Sequence, residues 1–266
     1  MTTPATEKKP ELIELARGLN HVPHGEQYER MVSGMLKSLP IDVQYFLLIG
    51  DRYNPNQPEL LQARHRARCV VEDYNNFSVK NIAYDKVVDA RLEQLRKVVG
   101  KVGTGTIVEP PFRPDYGCNV VIGSDTYINF NAFSARKIDK KANRLISLTV
   151  LDTSLVIIGG RCQFGPNVSV YTVGHDTSVL SRRKFVEFGH PIRIGDDCWI
   201  GGNVVILPGV TIGEGCTIGA GSIVTKDIPP FSVAVGSPCK VKRTVQSAEE
   251  EEQDPNNPYR NMVREV

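Results

Sequence analysis

A period of six residues runs through the second half of the chain. From Ile194 the sequence divides into IGDDCW, IGGNVV, ILPGVT, IGEGCT, IGAGSI and VTKDIP. The lead positions Ile194, Ile200, Ile206, Ile212, Ile218 and Val224 are all β-branched, and glycine follows at Gly195, Gly201, Gly213 and Gly219. The same phase recurs upstream in IGGRCQ and FGPNVS, led by Ile158 and Phe164, and in IGSDTY from Ile122. Repeats of fixed period are the mark of solenoids and arrays. Six matches neither the 3.6-residue apolar face of a helix nor the two-residue alternation of one half-buried strand. It suits a short strand followed by a tight turn. Three such units close one triangular coil, with the lead side chain inward and stacked on its equivalents above and below. Backbone hydrogen bonds then run between coils, as in a parallel sheet. Glycine or a small polar residue serves each corner, where unusual φ values are needed. The expected fold is mainly β, a parallel β-helix.

The rest of the chain reads differently. Residues 1–25 are polar and expected to be flexible. Residues 26–100 carry a helical pattern, with Leu60, Leu61, Ala67, Val70 and Val71 near helical spacing and VVDARLEQLRKVV closed by Gly100 as a C-terminal cap. The β-helix is expected over 101–245, and the acidic segment 246–266 reads as a solvated tail. At 266 residues the chain suits one large domain with an appendage. A net charge of +2 makes no case for nucleic acid or an anionic membrane. The opening MTTPATEKKP has no apolar signal segment, and the longest apolar burst, Val43 to Ile49, is far too short to span a bilayer. The six cysteines, Cys69, Cys118, Cys162, Cys198, Cys216 and Cys239, include no CxxC pair and read as small buried side chains in a reducing compartment. A cytoplasmic location is expected.

Three segments carry a family resemblance. They are VEPPFRPDYGCNVVIGSDTYINFN (108–131), LDTSLVIIGGRCQFGPNVSVYTVGHD (151–176) and the block from EFGHP through WIGG and VTKDIPP to GSPCKVKR (187–243). They resemble the maltose and galactoside O-acetyltransferases, the sugar-modifying branch of the hexapeptide-repeat transferases, over about three quarters of the chain. The resemblance implies a left-handed β-helix with an N-terminal α-helical cap, acetyl-CoA as co-substrate, no metal, and a homotrimer with each active site between two subunits. Two stretches of about sixteen residues depart from the family spacing, Lys37 to Arg52 and Phe133 to Leu148. They read equally as surface loops or as translated introns.

Acetyl transfer to a hydroxyl needs a base, a bound thioester and a donor for the tetrahedral oxyanion. Histidine suits the first role, because it titrates near working pH. Two of the five histidines, His175 and His190, fall in the repeat region, and His175 sits in YTVGHD where a regular coil gives way to a loop. The resemblance makes His175 the general base and Glu187 its supporting carboxylate. The Gly202 backbone N–H is the expected oxyanion donor, since that role needs no side chain. The resemblance also implies acceptor contacts from Asp115, Tyr127, Asn129, Asp152 and Arg64. For acetyl-CoA it points to Trp199, Gly202 and Ala220 along the pantetheine arm, with Thr225, Lys226, Lys240 and Arg243 at the nucleotide end, where cations suit phosphates. The expected reaction is direct transfer within a ternary complex, without a covalent intermediate. Three rival readings stand beside it. One is a related acyltransferase with a non-sugar acceptor. Another is a non-catalytic scaffold whose pocket is blocked by 133–148. The third, a metal-dependent enzyme of the γ-carbonic anhydrase type, needs three histidines on zinc where the repeat region has two.

Overall fold

The computed structural model describes residues 7–37, 52–53, 55–129, 148–175, 177–183 and 187–262. The hexads fold as three parallel faces of a prism. Face A stacks Lys101–Val102, Val120–Ile122, Val156–Ile158, Ile192–Ile194 and Thr211–Ile212. Face B stacks Ile107–Val108, Tyr127–Ile128, Gln163–Phe164, Trp199–Ile200, Thr217–Ile218 and Ser232–Val235, with Lys240–Thr244 added antiparallel at its end. Face C stacks Phe112–Pro114, Leu148–Leu151, Ser169–Tyr171, Val205–Ile206 and Ile223–Val224. The chain visits A, B and C in turn, so its corners are A–B, B–C and C–A.

The lead residues make the core. Ile200, Ile206, Ile212, Ile218 and Val224 are fully buried, and Ile194 nearly so. Burying each such side chain is worth about 1.5–3 kcal/mol. Register shows where the coil is interrupted. Ile194 pairs with Ile212, 18 residues on, whereas Ile158 pairs with Ile194, 36 residues on. Eighteen extra residues therefore leave the coil between Ile158 and Ile194. They do so at the C–A corner, within the span 172–190.

The corners carry the glycine and small polar residues expected there. The left-handed residues lie three after the lead: Asp197 (φ 58°), Asn203 (59°), Gly215 (64°) and Gly221 (71°). Asparagine and aspartate tolerate that region as glycine does. The glycines directly after the lead serve close approach instead. A Cβ on Gly201 would lie 2.5 Å from the Ala220 nitrogen of the next coil. A second column explains three of the six cysteines. Thr126 Oγ1 donates to the Gly159 carbonyl (3.0 Å), Cys162 Sγ to Gly195 (3.2 Å), Cys198 Sγ to Gly213 (3.1 Å) and Cys216 Sγ to Pro229 (3.0 Å). Each small side chain thus pairs a corner carbonyl of its neighbour. All six cysteines are free thiols, but Cys69 is exposed, contrary to the expectation of burial.

Helices close the first coil and cover one corner. Helices α1 (Pro10–Arg17), α2 (Glu26–Val32), α3 (Pro58–Asn75) and α4 (Val87–Val98) precede the prism. Tyr74, Leu92, Leu95 and Val98 extend the prism core beyond its first rung. Asn75 pairs with both backbone groups of Phe112 on the edge strand, donating to its carbonyl (2.9 Å) and accepting from its N–H (2.8 Å). Such pairing blunts an open sheet edge. A second cluster joins Leu12, Ile13 and Ala16 of α1 to Tyr28, Met31, Val32, Tyr53 and Leu60 of the cap, and to Tyr116, Cys118 and Leu155 of the C–A corner. The segment 1–25, expected to be flexible, therefore holds a docked helix; its apolar stripe at 12, 13 and 16 has helical spacing. Helix α4 ends at Val98 with Val99 extended (ψ 158°), so Gly100 is not its cap. A Cβ there would sit 2.1 Å from the Cys118 carbonyl oxygen, and close approach is its reason. After the excursion helix α5 (Val179–Arg183), the acidic tail forms α6 (Ala248–Gln253), opened by a Ser247–Glu250 capping box. No residue of α6 is buried. The stretches 38–51 and 133–147, most of the two departures from family spacing, lie outside the described residues.

Candidate active site

The excursion at the C–A corner is an antiparallel hairpin. Val173 pairs with Gly189 and Gly174 with Phe188. His175 and Glu187 are the next residues outward on its two arms. The neck of the hairpin is held by specific bonds. Thr172, fully buried, donates from Oγ1 to the Leu151 carbonyl (2.7 Å) and accepts from the Ser154 N–H (2.9 Å). The His190 N–H closes the neck of the hairpin onto the Thr172 carbonyl (2.7 Å), and the His190 ring packs edge-on against Phe188 (5.4 Å). Neck and prism are thus locked, while His175 is exposed at the outer end.

The cap presses on this hairpin. Gly34, at φ 79°, lies so close that a Cβ would meet the Gly189 carbonyl oxygen at 2.2 Å, and Ser154 Oγ donates to the Val32 carbonyl (2.8 Å). Tyr53, buried in the cap, donates its hydroxyl to Glu187 Oε1 at 3.0 Å. Burial first, then the Glu187 charge, holds that phenol well above its ordinary range, so it is a neutral donor. Arg64 of α3 donates to the Tyr116 hydroxyl (2.6 Å) and the Pro55 carbonyl (2.9 Å), and its guanidinium stacks over the Tyr116 ring at 5.5 Å. Asp115, half-buried beside it, has its carboxyl pushed upward by desolvation and by Glu187, while Arg64 and Arg68 pull the other way.

Asp152 lies beneath this group. It is fully buried, and its Oδ1 accepts from the Asp115 N–H (2.8 Å) and the Tyr116 N–H (2.9 Å). Oδ2 has no hydrogen-bond partner among the described residues. Desolvation pushes the carboxyl up to about 7, Asp115 adds to that, and the two backbone donors oppose it. Its own carbonyl accepts from Asn119 Nδ2 (2.6 Å), and Asn119 Oδ1 accepts from the Tyr28 hydroxyl (2.7 Å). Asp152 was expected at the acceptor. In the structure it orients the 115–116 turn from below, with no surface of its own.

The remaining expected residues lie elsewhere on the prism. Tyr127 and Trp199 share the outer side of face B, both registered to Gln163. Trp199 is 57% exposed and Tyr127 36%. Asn129 follows on the B–C corner, its N–H bonded to the Phe164 carbonyl (3.0 Å). Gly202 and the exposed Ala220 stack on the same corner, two and one coils from the end of the repeat. The Gly202 carbonyl accepts from Gly221 N–H (2.8 Å), and among the described residues no acceptor takes the Gly202 N–H. Thr225 and Lys226 are exposed on the C–A corner, and Lys240 and Arg243 on the final hairpin of face B. The structure therefore brings Glu187, Asp115 and Arg64 together at the C–A corner, with His175 on the same hairpin, and places Tyr127, Asn129, Trp199, Gly202 and Ala220 around face B and the B–C corner. It does not bring the two sets together within one protomer, because face C lies between them. Tyr53, Tyr116, Asn119 and Tyr28 are site-forming residues absent from the sequence-based set. Tyr116, adjacent to Asp115, is the one that proximity alone could have suggested.

Comparison with known proteins places this architecture. Residues 191–226 match the bacterial transferase hexapeptide family (six repeats), and residues 48–103 match the maltose acetyltransferase hexapeptide capping motif. The galactoside O-acetyltransferase of Lactococcus lactis is 33% identical over 198 residues, covering 74% of this chain and 85% of the relative. The crystal structure of a maltose O-acetyltransferase from Clostridium difficile superposes with a TM-score of 0.66 at 33% identity, over 84% of this chain and 99% of that one. A galactoside acetyltransferase in complex with coenzyme A gives a TM-score of 0.62 at 33% identity, over 79% and 94%. The β-helix is of the left-handed type, and the helical cap is part of the same architecture. The chain belongs to the maltose and galactoside O-acetyltransferase family of hexapeptide-repeat transferases.

Proposed function

We propose that this protein transfers the acetyl group of acetyl-CoA to a hydroxyl of a small sugar, such as maltose, glucose or a galactoside, with His175 as general base. The observation that carries the reading is the hairpin at the C–A corner, which bears His175 on one arm and Glu187 on the other, with Glu187 and Arg64 beside Asp115, at a corner covered by the capping helices. His175 takes the proton of the acceptor hydroxyl, whose oxygen attacks the thioester carbonyl. The Gly202 N–H receives the oxyanion, and His175 returns the proton to the departing thiolate. No covalent enzyme intermediate forms. Glu187 orients the imidazole, and Asp115, held by Asp152 from below, accepts hydrogen bonds from sugar hydroxyls. Tyr127 and Asn129 complete the acceptor pocket. The pantetheine arm runs along Trp199, Gly202 and Ala220, and Thr225, Lys226, Lys240 and Arg243 meet the nucleotide end.

This division of labour needs more than one copy of the chain. The base lies at the C–A corner and the oxyanion donor at the B–C corner, with the width of face C between them. In a closed cyclic trimer the C–A corner of one protomer meets the B–C corner of the next, and each pair of subunits completes one site. The setting is the cytoplasm. The decisive experiment is acetyl-CoA-dependent thiol release against a panel of glucosides, galactosides and maltose, with His175→Ala alongside. Loss of the base is expected to lower kcat roughly 10²–10⁴-fold, with acetyl-CoA binding retained. Near-wild-type turnover by the variant refutes the assignment.

A further inference from the structure

We infer that Tyr53 is a positioning residue: through its hydrogen bond to Glu187 it fixes the carboxylate on the hairpin arm opposite the one that bears His175. The inference rests on the acetyl-transfer reading above. Glu187 belongs to the excursion at the C–A corner, outside the stacked coils. A glutamate on such a segment has several rotamers to lose, and ordering one of them costs entropy. Tyr53 comes from the opposite kind of environment. It is 1% exposed, lies in the apolar cluster that docks the cap, and its strand Arg52–Tyr53 pairs with Leu36–Lys37. Two residues on, the Pro55 carbonyl is held by Arg64 at 2.9 Å. The hydroxyl is thus a donor at a fixed point, 3.0 Å from Glu187 Oε1. Hydrogen bonds from a neutral donor to an ionised acceptor are among the stronger ones in proteins. A buried phenol also cannot turn to water for a substitute partner.

The consequence runs from cap to chemistry. The cap fixes Tyr53, Tyr53 fixes Glu187, and Glu187 presents one geometry to His175. Tyr53 itself touches neither substrate nor the reacting atoms. A role confined to packing would be met equally well by phenylalanine, which fills the same space without the hydroxyl.

The test is a kinetic double-mutant cycle on the full chain, with wild type, Tyr53→Phe, Glu187→Ala and the double variant. Acetyl-CoA and the best sugar acceptor of the panel are the substrates. Tyr53→Phe is expected to lower kcat roughly tenfold, the scale of losing a hydrogen bond to a charged group, with KM for acetyl-CoA unchanged. The double variant is expected to be no slower than Glu187→Ala alone, because the shared interaction is already lost. Wild-type kcat in Tyr53→Phe, or losses that multiply in the double variant, overturns the inference. Should Tyr53→Phe not fold, judged by its circular dichroism, Glu187→Asp replaces it. That change keeps the charge but draws the carboxylate back from the phenol, and undiminished kcat there overturns the inference equally. Absence of acetyl transfer by folded wild type removes the functional reading and this inference together, whereas an active wild type with an indifferent Tyr53→Phe removes the inference alone.

Discussion

Asp152→Asn isolates the energetic consequence of a carboxyl buried beneath the site. The side chain is fully buried, and among the described residues only its Oδ1 is paired, with the N–H groups of Asp115 and Tyr116. Burial carries its folded-state value from 3.8 to about 7. The folded protein therefore binds a proton that the unfolded chain has released between those two values. Stability from this group is fully present below the unfolded value and is lost as pH rises through the folded one. Between pH 5 and pH 8 the loss comes to roughly 3 kcal/mol by linkage. For a chain of this size that is on the order of 5–10 °C in thermal midpoint. Asparagine keeps an oxygen for the two backbone donors and has no proton to lose. The assay is thermal unfolding of both proteins at intervals from pH 5 to 8. Every other titrating group is common to the two, so the difference between the curves reports Asp152. The wild-type midpoint is expected to fall relative to the variant as pH rises. Parallel curves refute the buried-carboxyl account.

Two further predictions follow from the prism itself. Cys198→Ala strands the Gly213 carbonyl and is expected to cost about 1–3 kcal/mol, read from urea unfolding, whereas Cys198→Ser keeps a donor in the column and is expected to lose less. Equal losses would remove the hydrogen-bond account of the cysteine column. Light scattering of the purified chain is expected to give three times the subunit mass of 29.4 kDa, and a mass of one subunit refutes the shared-site arrangement.

The prism was legible because its contacts are local and repeat. Each lead residue stacks on an equivalent 18 positions away, so the core writes its own period into the chain, from Ile194 to Val224. The position of His175 was legible for the same reason, since YTVGHD is where the period stops. Corner chemistry was read only in part. Glycine after the lead and the Asx or Gly residue three after it are both visible as letters, but which one carries the left-handed φ depends on backbone geometry. The same limit misplaced Gly100, whose small size answers the Cys118 carbonyl from the neighbouring corner rather than the helix it follows.

The site drew on a different kind of information. Tyr53 and Glu187 are 134 residues apart and meet once, so no periodicity records their pairing. Arg64 and Tyr116, and Tyr28 with Asn119, are likewise single meetings between cap and corner. Asp115 and Asp152 look alike as sequence letters, yet packing leaves one half-exposed and seals the other beneath it. The sequence by itself determined the β-helix, its inward residues and the break that carries the histidine, because stacking forces repetition. Only the tertiary structure decided which carboxyl is sealed in, which phenol holds Glu187, and that His175 and Gly202 stand on opposite edges of one face. Those outcomes depend on where non-repeating elements dock, and docking is set by shape and burial across the whole molecule.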